Sequence, residues 1–133
     1  MAASHRQLFL LFNHHLTPLQ KQDAHKSLSI ESIQEPTPAI KKIWGQIPPD
    51  LPTIADYLKP VQAWLLEKAA KGDYVLIQGD FGACFILVSF AFDIGLIPVY
   101  STTQREAVET AGEDGAVKIT HQFKHRIFRK YEL

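Results

Sequence analysis

The stretch GDYVLIQGDFGACFILVSFAFDIGLIPVY, residues 72–100, decides the fold. Tyr74 to Ile77 is apolar at every position, which suits a strand covered on both faces in a mainly parallel sheet rather than a strand with one wet face. Gly72 reads as the C-cap of a preceding helix, and Asp73 leads into the strand. The turn Gln78, Gly79, Asp80, Phe81, Gly82 then opens an apolar run over 83–94, too long for a strand and of ordinary helix length. Gly95 stops that run, and Ile97 to Tyr100 makes a second apolar strand. Strand, turn, helix and strand joined by a few residues each form a parallel crossover unit.

Upstream the same pattern recurs. Leu8 to Phe12 is a continuous apolar run and reads as the first strand. Asn13, His14 and His15 follow, after which Thr17, Pro18 and Gln20 supply an N-cap, a first-turn proline and a capping-box partner for a helix over Pro18 to Leu28. Ile30 and Ile33 frame a short strand, and Ala39 to Trp44 forms a brief helix. Prolines 48, 49 and 52 mark a loop, and Thr53 is placed to cap a helix carrying Val61, Trp64, Leu65 and Ala69, which Pro60 kinks or restarts. Downstream the chain changes character. From Ala107 it reads as a hairpin around Gly112 to Gly115, with Val117, Ile119 and Phe123 alternating against Lys118, Thr120 and Gln122. The expected fold class is α/β: a mainly parallel sheet with helices on both faces and a C-terminal antiparallel hairpin.

A chain of 133 residues, 46% hydrophobic and 21% charged, has the ordinary globular mixture and the length of one domain, so residues 1–133 are expected to share one core. Fourteen Lys plus Arg balance fourteen Asp plus Glu, which argues against the long basic surface of a duplex-binding protein. Any nucleotide ligand is therefore expected to be small and held locally. The single Cys84 cannot form an internal disulfide, and no charged leader with a cleavage site precedes the first apolar run, so a cytoplasmic protein is expected. Ala83 to Leu96, interrupted by Ser89 and Asp93, falls short of the ~20 residues that span a bilayer and reads as a buried helix.

In an open parallel sheet the ligand crevice lies outside the carboxyl ends of the strands, where neighbouring crossovers leave in opposite directions. Three polar segments of this chain fall there: Asn13 to His15, Gln78 to Gly82, and Ser101 to Glu106. Each also has a structural reading. Gly79 and Gly82 fit a tight turn and close helix packing, and the segment lacks a full dinucleotide or phosphate-loop glycine pattern. Adjacent histidines fit a loop and a cap, and no Cys or carboxylate at metal spacing accompanies them, so no metal and no cofactor is expected. Arg105 pairs as readily with Glu106 or Glu109 as with a ligand, yet Ser101, Thr102 and Thr103 ahead of an Arg resemble a phosphate clamp. The basic residues of the tail, Lys118, Lys124, Arg126, Arg129 and Lys130, read most simply as a solvated strand face.

At LFLLFNHHLT (8–17), GDYVLIQGDFGACF (72–85) and IPVYSTTQRE (97–106) the sequence resembles the CRISPR-associated Rossmann (CARF) family, and more closely its small stand-alone Csx-type members, which are ring nucleases. The strand followed by a hydroxyl pair, a spacer and Arg-Glu is the most specific piece. The larger members carry an effector domain after the sensor domain, and this chain departs from them in ending at Leu133. The resemblance implies a Rossmann-like homodimer that binds cyclic oligoadenylate, with cyclic tetra-adenylate favoured over the hexa-adenylate, lying across the two-fold axis. It also implies metal-independent cleavage by a ribose 2′-hydroxyl, which would switch off type III CRISPR antiviral signalling. On that reading His14 or His15 is the acid or base and Asn13 a phosphate donor. Arg105 stabilises charge with Thr102 and Thr103, while Ser101 and Gln104 line the site. Gln78, Asp80 and Phe81 meet ribose or adenine, and backbone N–H groups from Gly79 to Gly82 meet phosphate. Two alternatives stay open: a non-catalytic sensing or sequestering module, and another nucleotide enzyme on the same sheet. FNHH in place of a glycine-rich loop after the first strand argues against dinucleotide or S-adenosylmethionine binding.

Overall fold

The computed structural model describes residues 5–133. Five strands form one sheet in the order β2-β1-β3-β4-β5, where β1 is Gln7–Leu11, β2 Ser32–Gln34, β3 Tyr74–Ile77, β4 Ile97–Ala111 and β5 Val117–Lys130. The first four run parallel, with Leu10 opposite Leu76 and Leu76 opposite Val99, and β5 returns antiparallel to β4. The helices are α1 (Pro18–Ser27), α2 (Pro38–Gly45), α3 (Lys59–Lys68) and α4 (Phe81–Asp93).

Period-two alternation divides the core. Leu8, Leu10, Tyr74, Leu76 and Val99 face Leu16, Ala24 and Leu28 on the α1 side. Phe9, Leu11, Val75 and Ile77 face α2, α3 and α4, where Phe9 meets Trp64 edge-on at a centroid distance of 5.5 Å. Each fully buried Leu or Phe of these layers contributes about 1.5–3 kcal/mol relative to exposure, which is what holds strands with so little polar sequence in place. The Thr17 capping box starts α1: Thr17 accepts from Gln20 N at 3.1 Å, and Gln20 Oε1 accepts from Thr17 N at 2.9 Å.

Four expectations need correction. Ser101 to Glu106 is not a loop after the last parallel strand, because β4 continues unbroken to Ala111 and β5 pairs with it from Val117 to Lys130. The hairpin therefore starts well before Ala107. An antiparallel partner supplies hydrogen bonds beyond the body of the sheet, so a polar sequence remains strand. Thr53 caps nothing; residues 55–58 form a turn, and α3 starts at Lys59 with Pro60 in its first turn, where a missing N–H costs little. The helix expected from Ala83 begins at Phe81, capped by Asp80. Nor is α4 buried all round. Ala83, Leu87 and Ala91 are covered, whereas Phe81 is 95% and Phe85 77% exposed.

Candidate functional site at the carboxyl edge of the sheet

The connection from β1 leads through α1 to β2 at one edge, while β3 leads through α4 to β4 on the other side. The strand order thus reverses between β1 and β3, and the crevice opens where Asn13 and Gln78 leave the sheet. Gln78 joins the pieces around it. Its backbone N–H donates to Leu11 O at 3.0 Å, its carbonyl accepts from Trp44 Nε1 at 3.0 Å, and its side-chain Oε1 accepts from Ser101 N at 2.8 Å. One residue therefore fixes the ends of β1, β3 and the parallel part of β4 against α2, leaving its amide NH₂ as the group able to turn to a ligand. Gly79 suits this close approach, since a Cβ there would stand 3.0 Å from Trp44 Nε1 and the indole would have to give way.

Asn13, His14 and His15 are all exposed at the end of β1. They diverge. Asn13 Oδ1 lies beside Gly45, and the His14 ring stands edge-on to Phe12 at 5.4 Å. His15 instead lines a cavity of about 450 Å³ with Leu16, Lys21, His25 and Glu31. Asp80 is placed differently from expectation: its Oδ2 accepts from Ala83 N at 3.0 Å as the α4 N-cap. A carboxylate already occupies that N–H, which leaves less of the helix terminus for phosphate. Gly82 packs near Ile54, and Phe81 projects into solvent.

The hydroxyls expected to clamp phosphate have other partners. Thr102 Oγ1 accepts from Ile127 N at 3.1 Å and donates to Ile127 O at 3.2 Å, stitching the β-bulge that shifts the β4 register between Ser101 and Thr103. Ser101 is buried, and its Oγ lies 2.5 Å from His125 Nδ1 and accepts from Gln20 Nε2 at 3.3 Å. His125 Nε2 lies 2.7 Å from Asp23 Oδ2. The imidazole thus bridges the Ser101 hydroxyl and the Asp23 carboxylate through its two ring nitrogens. Burial pushes the Asp23 carboxyl up, but hydrogen bonds from Ser27 and His125, with the charges of His125 and Lys26, outweigh it and hold the group below its ordinary value. The chain Ser101, His125, Asp23 has the residue order of a hydrolase triad. Ser101 and His125 are each 8% exposed, however, and neither lines the cavities described here. It pins α1 to the root of the hairpin. Sequence reasoning gave Gln20 only its capping-box role and missed Asp23 and His125, because α1 is polar at most positions and nothing local marks which side chains turn to the sheet.

A family model described as "Uncharacterized protein MJ1673 family" matches residues 6–129. The chain belongs to this family. It is 46% identical over 125 residues to "Uncharacterized protein MJ1673" of Methanocaldococcus jannaschii, covering 94% of this chain and 96% of that one. No solved structure matches it.

In this member of the MJ1673 family, Thr103, Gln104 and Arg105 stand on the projecting part of β4, exposed and without a side-chain hydrogen bond among the described residues. Arg105 is four residues past Ser101, about 13 Å along the strand at ~3.3 Å per residue. A second, open cavity of about 1120 Å³ starts at Gln78 and Gly79 and runs along α4 past Phe81, Phe85 and Val88 to Tyr100 and Tyr131. Burial, with the neighbouring Cys84 and Tyr100, pushes the Tyr131 hydroxyl up to about 12, and it donates to Ile77 O at 2.6 Å. Burial also raises the Cys84 thiol, as does the Asp80 charge, against a hydrogen bond from Gly79 that lowers it. At neutral pH Cys84 is therefore a thiol and a poor nucleophile. No group of three His, Cys, Asp or Glu placed to hold a metal ion occurs among the described residues. None of the described helices is long and apolar enough to cross a membrane.

Proposed function

We propose that this chain is a ring nuclease of the CRISPR-associated Rossmann type, which binds cyclic tetra-adenylate across a homodimer axis and opens it without a metal. The supporting observation is the junction at Gln78, which bonds to Leu11 at the end of β1, to Trp44 of α2 and to Ser101 of β4 at the switch point of the sheet, with Asn13 and His14 following Leu11 and the Gly79–Gly82 turn following Gln78 along the chain. Those are the segments in which the sequence resembles that family. A messenger made of ribonucleotides is an intracellular ligand, so this reading carries a cytoplasmic location with it.

In the proposed reaction a ribose 2′-oxygen attacks the adjacent phosphorus. The bond to the 5′-oxygen breaks, and the products are a 2′,3′-cyclic phosphate and a 5′-hydroxyl. His14 takes the proton from the 2′-hydroxyl or gives one to the departing oxygen, and Asn13 donates to a phosphate oxygen. Arg105 offsets the charge of the phosphorane, aided by Thr103 and Gln104, from an arm that rises above the sheet edge. Phe81 offers a face for an adenine to stack on, and the Gln78 amide donates to ribose or base. Ser101 and Thr102 act on the ligand only indirectly, by holding the strand that carries Arg105. Incubating the protein with cyclic tri-, tetra- and hexa-adenylate in EDTA and analysing the products tests the whole reading. Linear product from the tetra-adenylate is expected. A ring bound but returned intact makes the protein a sequestering module, and no binding of any ring removes the proposal.

A further inference from the structure

Residues 103–124 form an arm, β4 and β5 continued past the body of the sheet, in which no side chain is buried. The register places Ala107, Ala111, Val117, Ile119 and Phe123 on one face, interspersed with Arg105, Glu109 and His121, and Val117 is 63%, Ile119 58% and Phe123 71% exposed. Gln104, Glu106, Thr110, Lys118, Gln122 and Lys124 stand on the other. A two-stranded ribbon is marginal in water by itself, and one with a bare apolar face is more so. The same chain carries a second unpartnered apolar surface in the α4 groove of Phe81, Phe85, Val88 and Tyr131. The two cannot meet within one chain. The arm's apolar face continues from Ser101 and His125, which point to α1, whereas the groove lies on the opposite side of the sheet.

We infer that each arm lays its apolar face in the α4 groove of a second copy of this chain, reciprocally, so that two copies form an arm-exchanged two-fold dimer. Charge fits the placement. The arm tip carries Glu113 and Asp114, the apolar face adds Glu109 against a single Arg105 nearer the root, and the groove rim carries Arg129 and Lys130 beside a single Glu132. Size fits as well: an arm about 30 Å long and ~10 Å wide covers roughly 300 Å², so arm plus groove give about 600 Å² per copy, at the lower end of stable interfaces. The contact does not rest on the nuclease reading, and it is measured without any nucleotide.

Sedimentation of the full chain at micromolar concentration, beside two variants, tests it. Ile119→Thr with Phe123→Thr strips the arm while keeping β-branched residues in the strand, and Phe85→Glu charges the groove. The native chain should run at twice the 15.0 kDa chain mass and both variants at the single mass, with native circular dichroism showing that they are folded. Mixing the two variants should restore a dimer with one intact contact, weaker by at least ~10-fold, because the groove variant keeps its arm and the arm variant keeps its groove. A monomeric native chain overturns the proposal. So does an arm variant that stays fully dimeric, or folded variants that remain monomeric when mixed.

Discussion

Gln78 shows how one side chain serves fold and site together. Its oxygen is taken by Ser101 N, so any ligand meets only its NH₂, and that restriction follows from a partner 23 positions away in sequence. The polar run after an apolar strand was legible as a site, whereas the partner of each polar atom was not. His125 and Asp23, 102 positions apart, carry no local motif, and only the sheet register brings them together. The two histidines after β1 were also indistinguishable in sequence. The structure separates them, one edge-on to Phe12 and one in the cavity beside α1. His14→Ala should therefore slow cleavage by about 10²-fold or more with ring affinity nearly unchanged, since an acid or base acts only as the proton moves. Arg105→Ala should cost a similar ~10²–10³-fold and weaken binding too, because a guanidinium also meets the ground-state phosphate. Single-turnover rates and equilibrium binding of cyclic tetra-adenylate measure both effects. A His15→Ala defect larger than that of His14→Ala would transfer the proton role to the other cavity.

The parallel strands and the capped α1 were readable because each obeys a local rule: unbroken apolar runs, and a Thr-Pro-x-Gln start. The arm was read too short because its first residues, Ser101 to Glu106, are polar on both faces of the strand and so lack the hydrophobic alternation that marks one. Its root is held by the chain from Ser101 through His125 to Asp23, which gives the element a pH signature. The Asp23 carboxyl is held below its ordinary value of 3.8 in the folded protein. A depressed carboxylate stabilises the fold above the unfolded value, and that contribution is lost as pH falls through the folded one. Stability should therefore fall as pH drops below about 4, and Asp23→Asn should flatten that part of the profile while lowering stability at pH 7. Denaturant unfolding of both proteins between pH 3 and pH 7 supplies the curves. Identical slopes would mean that the acid loss arises elsewhere.

At the scale of the whole molecule, the proposed reading asks a chain with zero formal charge to bind a polyanion through local groups, and a ring with even symmetry would meet those groups best from two identical half-sites. On that reading each half-site would offer Asn13, His14 and the Gly79–Gly82 turn, with Arg105 standing out along the arm. A dimer held by exchanged arms would fix the two carboxyl edges relative to each other before any ligand arrives. Assembly and binding are then linked: a ring that touches both copies stabilises the dimer, and by reciprocity the dimer binds the ring more tightly than two separate chains do. Calorimetric titration of the protein with cyclic tetra-adenylate, under conditions where the ring stays intact, should give one ring per two chains. Diluting the protein below its dimerisation constant should weaken the apparent affinity, and the Ile119→Thr, Phe123→Thr variant should show that weaker affinity at every concentration. A stoichiometry of one ring per chain with concentration-independent affinity would mean that a single carboxyl edge holds the whole ring, and the two-fold site would have to be abandoned even if the arms proved to exchange.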